Sequence, residues 1–380
     1  MNIDKLRSLP RLAQVDVLVA MSPENFAYVS GAHVITVKLL PARQAFAIIP
    51  TEREPILFVC SIEEATVREE SWIKDVRLYT EFKDHPMDKL VEVLVELGLD
   101  KGKLGIDLQY LPHASYARLV GRLPNLKILD TTDAVVGLRA VKEPDEVAKV
   151  ERATKGTHAA CIAGMEQARL GESEKTMANR ITNGIVNNGA DGTLFICFGT
   201  GPRSRHIHPM AGERVPKESE IIRFDVGGTY GSWNTDFART YSTGNPTAGQ
   251  REIYHKLAII QKDTIDFVRP EVTAEDVYFY CKEQFEKQGV KFHMPHVGHS
   301  FGIELHENPM LRPGDKTKLK LGMVINVEPL SLSFSGPEEG YHLEDLIVVV
   351  DKGSRLLTQG LAPRELPVIG IPLHKQMQSP

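Results

Sequence analysis

Apolar and polar positions in the first third of the chain follow two periods. The runs VDVLVAM (15–21), AFAIIP (45–50) and ILFVC (56–60) are short and continuous, which predicts strands. The stretch PMDKLVEVLVELG (86–98) repeats its apolar positions every three to four residues, which predicts a helix. Mixed elements of this kind through residue 133 describe a compact α/β domain. The segment LRAVKEPDEVAKVERAT (138–154) changes the pattern: Pro144 suits a first helical turn, and Asp145 and Glu146 suit its positive dipole end. A long helix is expected from there to about Leu170, followed by helices over 173–189, 247–268 and 272–289, the last two divided by Pro270 and the last capped near Thr273. The segments IIRFDVGG, YGSWNTDFARTY, MVINVEPL and EDLIVVV read as strands. The expected organisation is an α/β (α+β) chain of two domains, 1–137 and 138–380.

Composition agrees with a two-domain globular chain. At 380 residues the chain exceeds one ordinary core, and it is 42% hydrophobic and 25% charged. Its apolar runs are shorter than the roughly 18 residues of a membrane span. Asp4, Lys5, Arg7, Arg11 and Asp16 interrupt the first twenty residues, unlike the apolar core of a signal peptide, so a cytoplasmic location is expected. A net charge of -5 without a basic run gives no electrostatic reason to expect nucleic acid or an anionic membrane as partner. Cys60, Cys161, Cys197 and Cys281 are far apart and form no CxxC pair, which suits reduced, buried thiols.

The candidate chemistry lies in the acids and histidines of the last 160 residues or so. Asp225 and Asp236 are eleven residues apart with Gly227, Gly228 and Gly231 between them, so a turn can fold two strands back and bring the carboxylates together. By itself such a pair is an ordinary turn former. Glu328 in NVEP and Glu344 in HLED change the picture, because each sits in an apolar strand segment with little Lys or Arg nearby. His299 would supply one nitrogen donor. Four carboxylates and an imidazole at one point repel unless cations lie between them. The oxygen-rich set suits Mn²⁺ or Co²⁺ first, then Zn²⁺ or Fe²⁺. Two divalent ions would match four carboxylates in charge, and a water bridging them would become a hydroxide nucleophile near neutral pH.

Three other motifs compete. Gly298–Gly302 reads GHSFG, matching the nucleophile elbow of serine hydrolases with Ser300 as nucleophile, although the surrounding order of acid and histidine and the oxyanion segment do not follow. His306-Glu307 begins an H-E pair but lacks the second histidine of a zincin. GTGPR (199–203) lacks the Gly-Lys-Ser/Thr of a phosphate loop.

The order Asp, Asp, His, Glu, Glu, with eleven residues between the aspartates and H-x-x-x-x-x-x-H-E after them, resembles the dinuclear metallopeptidases of the pita-bread fold, peptidase family M24. Within that family it is most similar to the Xaa-Pro dipeptidase (prolidase) and aminopeptidase P branch. NFAYVSG (25–31) resembles the N-terminal domain shared with creatinase, and RAVKEPDEV (139–147) the usual opening of the catalytic domain. The resemblance implies a creatinase-like α/β domain followed by a pita-bread domain that hydrolyses the Xaa-Pro bond of dipeptides or short peptides. It implies that Asp225 holds one ion, that Asp236 and Glu344 bridge two, and that His299 and Glu328 complete the second. Glu328 would also be general base, while His306 and His208 would contact the scissile carbonyl or the tetrahedral intermediate. A homodimer is implied as well. His206 is a near neighbour of His208, but Ser204, four residues before His208, favours the latter.

There is one departure from the family pattern. Many relatives read V-R-I-E-D where this chain reads Tyr341-His342-Leu343-Glu344-Asp345, so a permanently charged fork becomes an imidazole. His342 is therefore a substrate-side candidate of open role, and a same-fold hydrolase of a small non-peptide amide or amidine, creatinase-like in substrate, is the alternative activity. A binding module that inherited the fold is a third reading, which the complete ligand set opposes.

Overall fold

The computed structural model describes residues 2–40, 42–332 and 339–376. Met1 and 377–380, the outer ends of the two expected domains, lie outside the described residues. The chain divides into two compact units, Met1–Arg139 and Ala140–Pro380. Among the described residues, no helix is long and apolar enough to cross a membrane.

The first unit is built on a six-stranded mixed sheet of β1 (Val17–Ala20), β2 (Phe46–Pro50), β3 (Ile56–Cys60), β4 (Asp75–Tyr79), β5 (Lys103–Ile106) and β6 (Lys127–Asp130), in the order β4-β3-β2-β1-β5-β6. The central strands β1, β2 and β3 are buried along their whole length, which is why they read as continuous apolar runs rather than alternating ones. The expected helix runs from Pro86 to Glu96 and buries Met87, Leu90, Val91 and Leu94. Asp107 fastens the end of β5 to β1: it accepts the N–H groups of Met21 and Ser22 at 2.8 and 2.9 Å and the Asn25 amide at 2.9 Å.

The second unit carries β7 (Gly192–Thr200), β8 (Ile221–Tyr230), β9 (Trp233–Asn234) and β10 (Phe237–Ser242), then β11 (His299–Ser300), β12 (Glu307–Met310), β13 (Val324–Val327), β14 (Leu330–Leu332), β15 (Gly340–His342), β16 (Asp345–Val350) and β17 (Gly353–Leu356). One antiparallel sheet has the order β10-β8-β7 with β9 paired to β8, and the other the order β12-β11-β13-β16-β17, while β14 and β15 form a separate hairpin. Each larger sheet has its own helix pair. Pro144–Gln167 and Glu174–Asn187 bury Cys161, Met165, Ile181 and Ile185 against Phe198, Phe224 and Phe237. Ala248–Phe267 and Ala274–Gln288 bury Leu257, Ile260, Val277 and Phe285 in one core with Ile325, Val327 and Ile347.

The helix starts have local chemical causes. The Glu143 N–H donates to the Glu146 carboxylate at 2.8 Å, and Pro144 occupies the first turn. Thr247 and Gln250 satisfy each other's backbone N–H groups at 3.2 and 2.8 Å. Thr273 and Asp276 do the same at 3.2 and 3.0 Å. The helix Ala274–Gln288 ends at Gly289, whose φ of 64° closes it in the left-handed region. All four cysteines are buried and free.

Candidate metal centre

Asp225 lies within β8, directly opposite Ala238 of β10. Side chains alternate along a strand, so Asp236, two residues before Ala238, projects on the same face as Asp225. Gly227 permits the tight crossing beside them, since a Cβ there would lie 2.4 Å from the Thr235 carbonyl oxygen. Asp236, Glu328 and Glu344 are not inside strands, contrary to the strand segments drawn from sequence. Glu328 falls between β13 and β14, where Pro329 has no N–H to continue a ladder, and its own N–H donates to the Val297 carbonyl at 3.0 Å. Glu344 precedes β16, and its N–H donates to the Ala238 carbonyl at 3.2 Å, tying it across to β10. His299 opens β11, with its N–H donating to Asn326 Oδ1 at 2.6 Å.

These elements bring the expected residues together. Potential donor atoms lie within 4.8 Å of one another in three overlapping sets: Asp225, Asp236 and Glu344; Glu328, His342 and Glu344; and Asp236, His299 and His306. His299 Nε2 is 3.4 Å from Glu328 Oε1 and 3.6 Å from Asp236 Oδ2. The other ring nitrogen, Nδ1, is 3.0 Å from the Ser300 carbonyl and donates to it, which leaves Nε2 as an acceptor, 3.1 Å from the Asn326 amide nitrogen and beside the carboxylates.

The cluster is strained electrostatically. Burial, then the charges of Glu344, Asp225 and Glu328, pushes Asp236 well above the usual carboxylate range. Burial and the same kind of repulsion push Glu344 well above it too. Glu328 behaves oppositely: burial would raise it, but His296 and His342 beside its oxygens, with His299, hold it below the ordinary range. Burial lowers His299 to about 4, so its imidazole is neutral near pH 7. Asp225 Oδ1, Glu328 Oε1 and Glu344 Oε2 are buried without hydrogen-bond partners. Inward carboxylates with orphaned oxygens, a neutral imidazole lone pair and mutual repulsion fit divalent cations.

A pocket of about 490 Å³ opens above the cluster. Phe195, Ile207, Met294, Leu305 and Leu330 give it an apolar wall, and His208 and His306 lie on its lining. The His306 and His299 rings are 3.9 Å apart, centroid to centroid. Its surroundings lower the His306 pKa, burial first, with His296 and His208 among the charges that add to this.

Sequence reading missed two members of the site. His296 Nδ1 lies 3.3 Å from Glu328 Oε1, and the run HMPHVGH carried that signal. Asn326 donates to Glu344 Oε1 at 2.6 Å and is wholly buried, and a lone amide inside the apolar run VINV was its mark. Ser300 is a correction to the serine-hydrolase alternative. It is wholly buried and takes a hydrogen bond at 3.2 Å from Lys142, which is paired with Glu307 at 2.9 Å, so it is packed as a structural hydroxyl away from solvent.

Residues 148–351 match metallopeptidase family M24. The chain belongs to this family. Residues 2–141 match the creatinase/prolidase N-terminal domain, so the architecture is a creatinase-like α/β unit followed by the M24 pita-bread domain. Membership implies divalent metal ions, in agreement with the acidic clusters. Over 363 residues the chain is 27% identical to the Xaa-Pro dipeptidase of Pyrococcus furiosus, covering 94% of this chain and 97% of that protein. The solved prolidase of Thermococcus sibiricus superposes with a TM-score of 0.86 at 25% identity, covering 97% of this chain and 98% of that one. The prolidase of Pyrococcus horikoshii gives a TM-score of 0.83 at 26% identity, with coverage of 96% and 99%. The two family matches together account for both units.

Proposed function

We propose that this metallopeptidase is an exopeptidase that hydrolyses the bond between an N-terminal residue and proline in dipeptides or short peptides. The observation that carries the reading is the set of four recessed carboxylates, three of them with orphaned oxygens, facing a neutral imidazole beneath an apolar-walled pocket. Relatives across nearly the whole chain length are named Xaa-Pro dipeptidases, which supports the substrate class. In this proposal Asp225, Asp236, Glu344, His299 and Glu328 hold two divalent ions drawn from Mn²⁺, Co²⁺, Zn²⁺ and Fe²⁺. Bound there, such ions supply Lewis acidity, lowering the pKa of a water and polarising a carbonyl.

The chain's own groups do the rest. Glu328, kept ionised by its imidazole neighbours, accepts a proton as general base. His306 and His208, on the pocket side of the cluster, donate hydrogen bonds to the oxygen on which negative charge develops. The apolar wall of Phe195, Ile207, Met294 and Leu330 receives the proline ring. It favours a peptide over the polar amidine of a creatinase-like substrate. Four buried free thiols suit a reducing cytoplasm. Ile35 and Leu39, exposed on one short helix of the N-terminal unit, suit pairing of two copies.

The test is turnover of Xaa-Pro dipeptides, Xaa-Pro tripeptides and non-peptide amides by protein loaded with Mn²⁺ or Co²⁺. Cleavage of the proline substrates and not of Xaa-Ala controls is expected. Protein with its full metal content that turns over no proline peptide refutes the substrate, and activity without metal refutes the chemistry.

A further inference from the structure

We propose that His342 is itself a metal ligand, a second imidazole on the ion expected at His299 and Glu328. This rests on reading the acidic cluster as a divalent-ion centre, and it gives His342 a different task from the substrate-side one expected of that position.

The His342 side chain is 4% exposed, and neither ring nitrogen has a hydrogen-bond partner. A buried imidazole with both nitrogens unsatisfied is costly unless something else meets them. Nε2 is 3.6 Å from Glu328 Oε2 and Nδ1 is 3.9 Å from Asp225 Oδ2. Both are too long for hydrogen bonds. The first does suit donors around a shared cation: atoms each about 2.1 Å from one ion stand about 3 Å apart at right angles and about 4.2 Å apart across it. His342, Glu328 and Glu344 have donor atoms within 4.8 Å of one another.

The backbone holds the ring in place. The His342 N–H donates to Thr240 Oγ1 at 2.8 Å, and the Thr240 hydroxyl donates to the His342 carbonyl at 2.9 Å. His342 also pairs with Leu330 in the β14–β15 hairpin. With Nε2 on the ion, Nδ1 keeps the proton and faces the negative charge of Asp225 at 3.9 Å, which favours that tautomer electrostatically.

The consequence is an asymmetric pair of sites. One ion has two nitrogens among its donors, from His299 and His342, while the other is held by the carboxylates of Asp225, Asp236 and Glu344. Nitrogen donors favour Zn²⁺ and Co²⁺ over Mn²⁺, so the nitrogen-rich site fills first with those ions. The arginine that many relatives carry at this position cannot coordinate, because it keeps its proton.

The test uses the full chain, stripped of metal, as wild type and as His342→Ala, His342→Gln and His342→Arg. Calorimetric titrations with Zn²⁺ and with Mn²⁺ give site affinities, and X-ray absorption at one equivalent of Zn²⁺ counts imidazoles from their multiple scattering. Two imidazoles per Zn²⁺ are expected in the wild type and one in every variant. First-site Zn²⁺ affinity should fall roughly ten- to hundred-fold in the variants, with a smaller change for Mn²⁺ and none at the second site. One imidazole in the wild type, with variants binding Zn²⁺ equally tightly, overturns the role of His342 and leaves the dinuclear centre standing. A wild type that takes up no divalent ion overturns both.

Discussion

His158 offers a stability prediction that can be worked through from structure to assay. It lies on the helix Pro144–Gln167, its Nδ1 accepts the Gln359 N–H at 3.0 Å, and its ring packs on Phe237 at 4.8 Å. Burial, and then the nearby Arg239, lower its pKa from 6.5 to about 3. The folded protein therefore keeps this imidazole neutral while the unfolded chain protonates it. A depressed folded pKa gives stability that is present in full above pH 6.5 and is lost as pH falls towards the folded value. At pH 5 the unfolded chain gains roughly 2 kcal/mol from its proton, and any folded pKa below about 4 gives nearly the same figure. At pH 7.5 the gain is negligible. His158→Asn keeps an acceptor for the Gln359 N–H and removes the titration. Urea unfolding of metal-free protein, followed by the fluorescence of Trp233 in the same unit, measures the difference between wild type and variant, so the contributions of the other titrating groups cancel. Whatever the variant loses in packing at pH 7.5, the wild type should lose about 2 kcal/mol more than the variant between pH 7.5 and pH 5. An unchanged gap between the two proteins across that range refutes the reasoning.

Asp236→Asn should lower Xaa-Pro turnover by more than about a hundred-fold and, at saturating Mn²⁺, forfeit most of the roughly 2.7 kcal/mol per ion expected at a hundred times Kd, read as the metal-dependent shift in Tm. Lys142→Met leaves Glu307 buried without its ammonium partner and should cost about 3–5 kcal/mol in urea unfolding. Glu307 also accepts the Ile303 and Glu304 N–H groups at 3.1 Å each, which an amide oxygen can still do, so adding Glu307→Gln should restore more than half of that loss. Gly298→Ala would place a Cβ 2.2 Å from the Asn326 carbonyl oxygen, and a loss of at least about 1–3 kcal/mol with weakened metal uptake is expected from thermal melts and metal analysis.

Much of the architecture was legible because local chemistry and burial agreed. Apolar runs buried on both faces marked β1, β2 and β3, and Pro144 and Thr273 marked helix starts that the structure places at those residues. The limits of the strands were harder to read. MVINVEPL looks like one strand through Glu328, but Pro329 stops the ladder and the Glu328 N–H turns to Val297 instead. That choice depends on a partner 31 residues away in sequence, which no local pattern reports. The four carboxylates and His299 were legible because charge in apolar surroundings demands an explanation. Asn326, His296 and the Lys142–Glu307 pair were not singled out, since each is an unremarkable polar residue until its partner is known.

The position of Glu328 and Glu344 at strand ends also has a physical logic. An acid inside a ladder is fixed by one sheet alone, whereas Glu344 is tied through its N–H to Ala238 of β10 and continues directly into β16 of the other sheet. Arg239 strengthens this seam without neutralising the cluster, because its guanidinium pairs with Asp345 at 2.5 Å and donates to the Glu344 carbonyl rather than to its carboxylate. The carboxylate oxygens are thereby left for cations while the backbone beneath them is held by a buried ion pair. A guanidinium placed on the carboxylates themselves would have relieved their repulsion and filled the site. With the seam held by Arg239–Asp345 and the cluster left short of positive charge, cation binding as proposed would complete the junction between the two sheets. Hydrogen exchange at the Glu344 and Glu328 amides should therefore slow on metal loading more than exchange in the β1–β6 sheet, and equal protection gains in both places would refute that coupling.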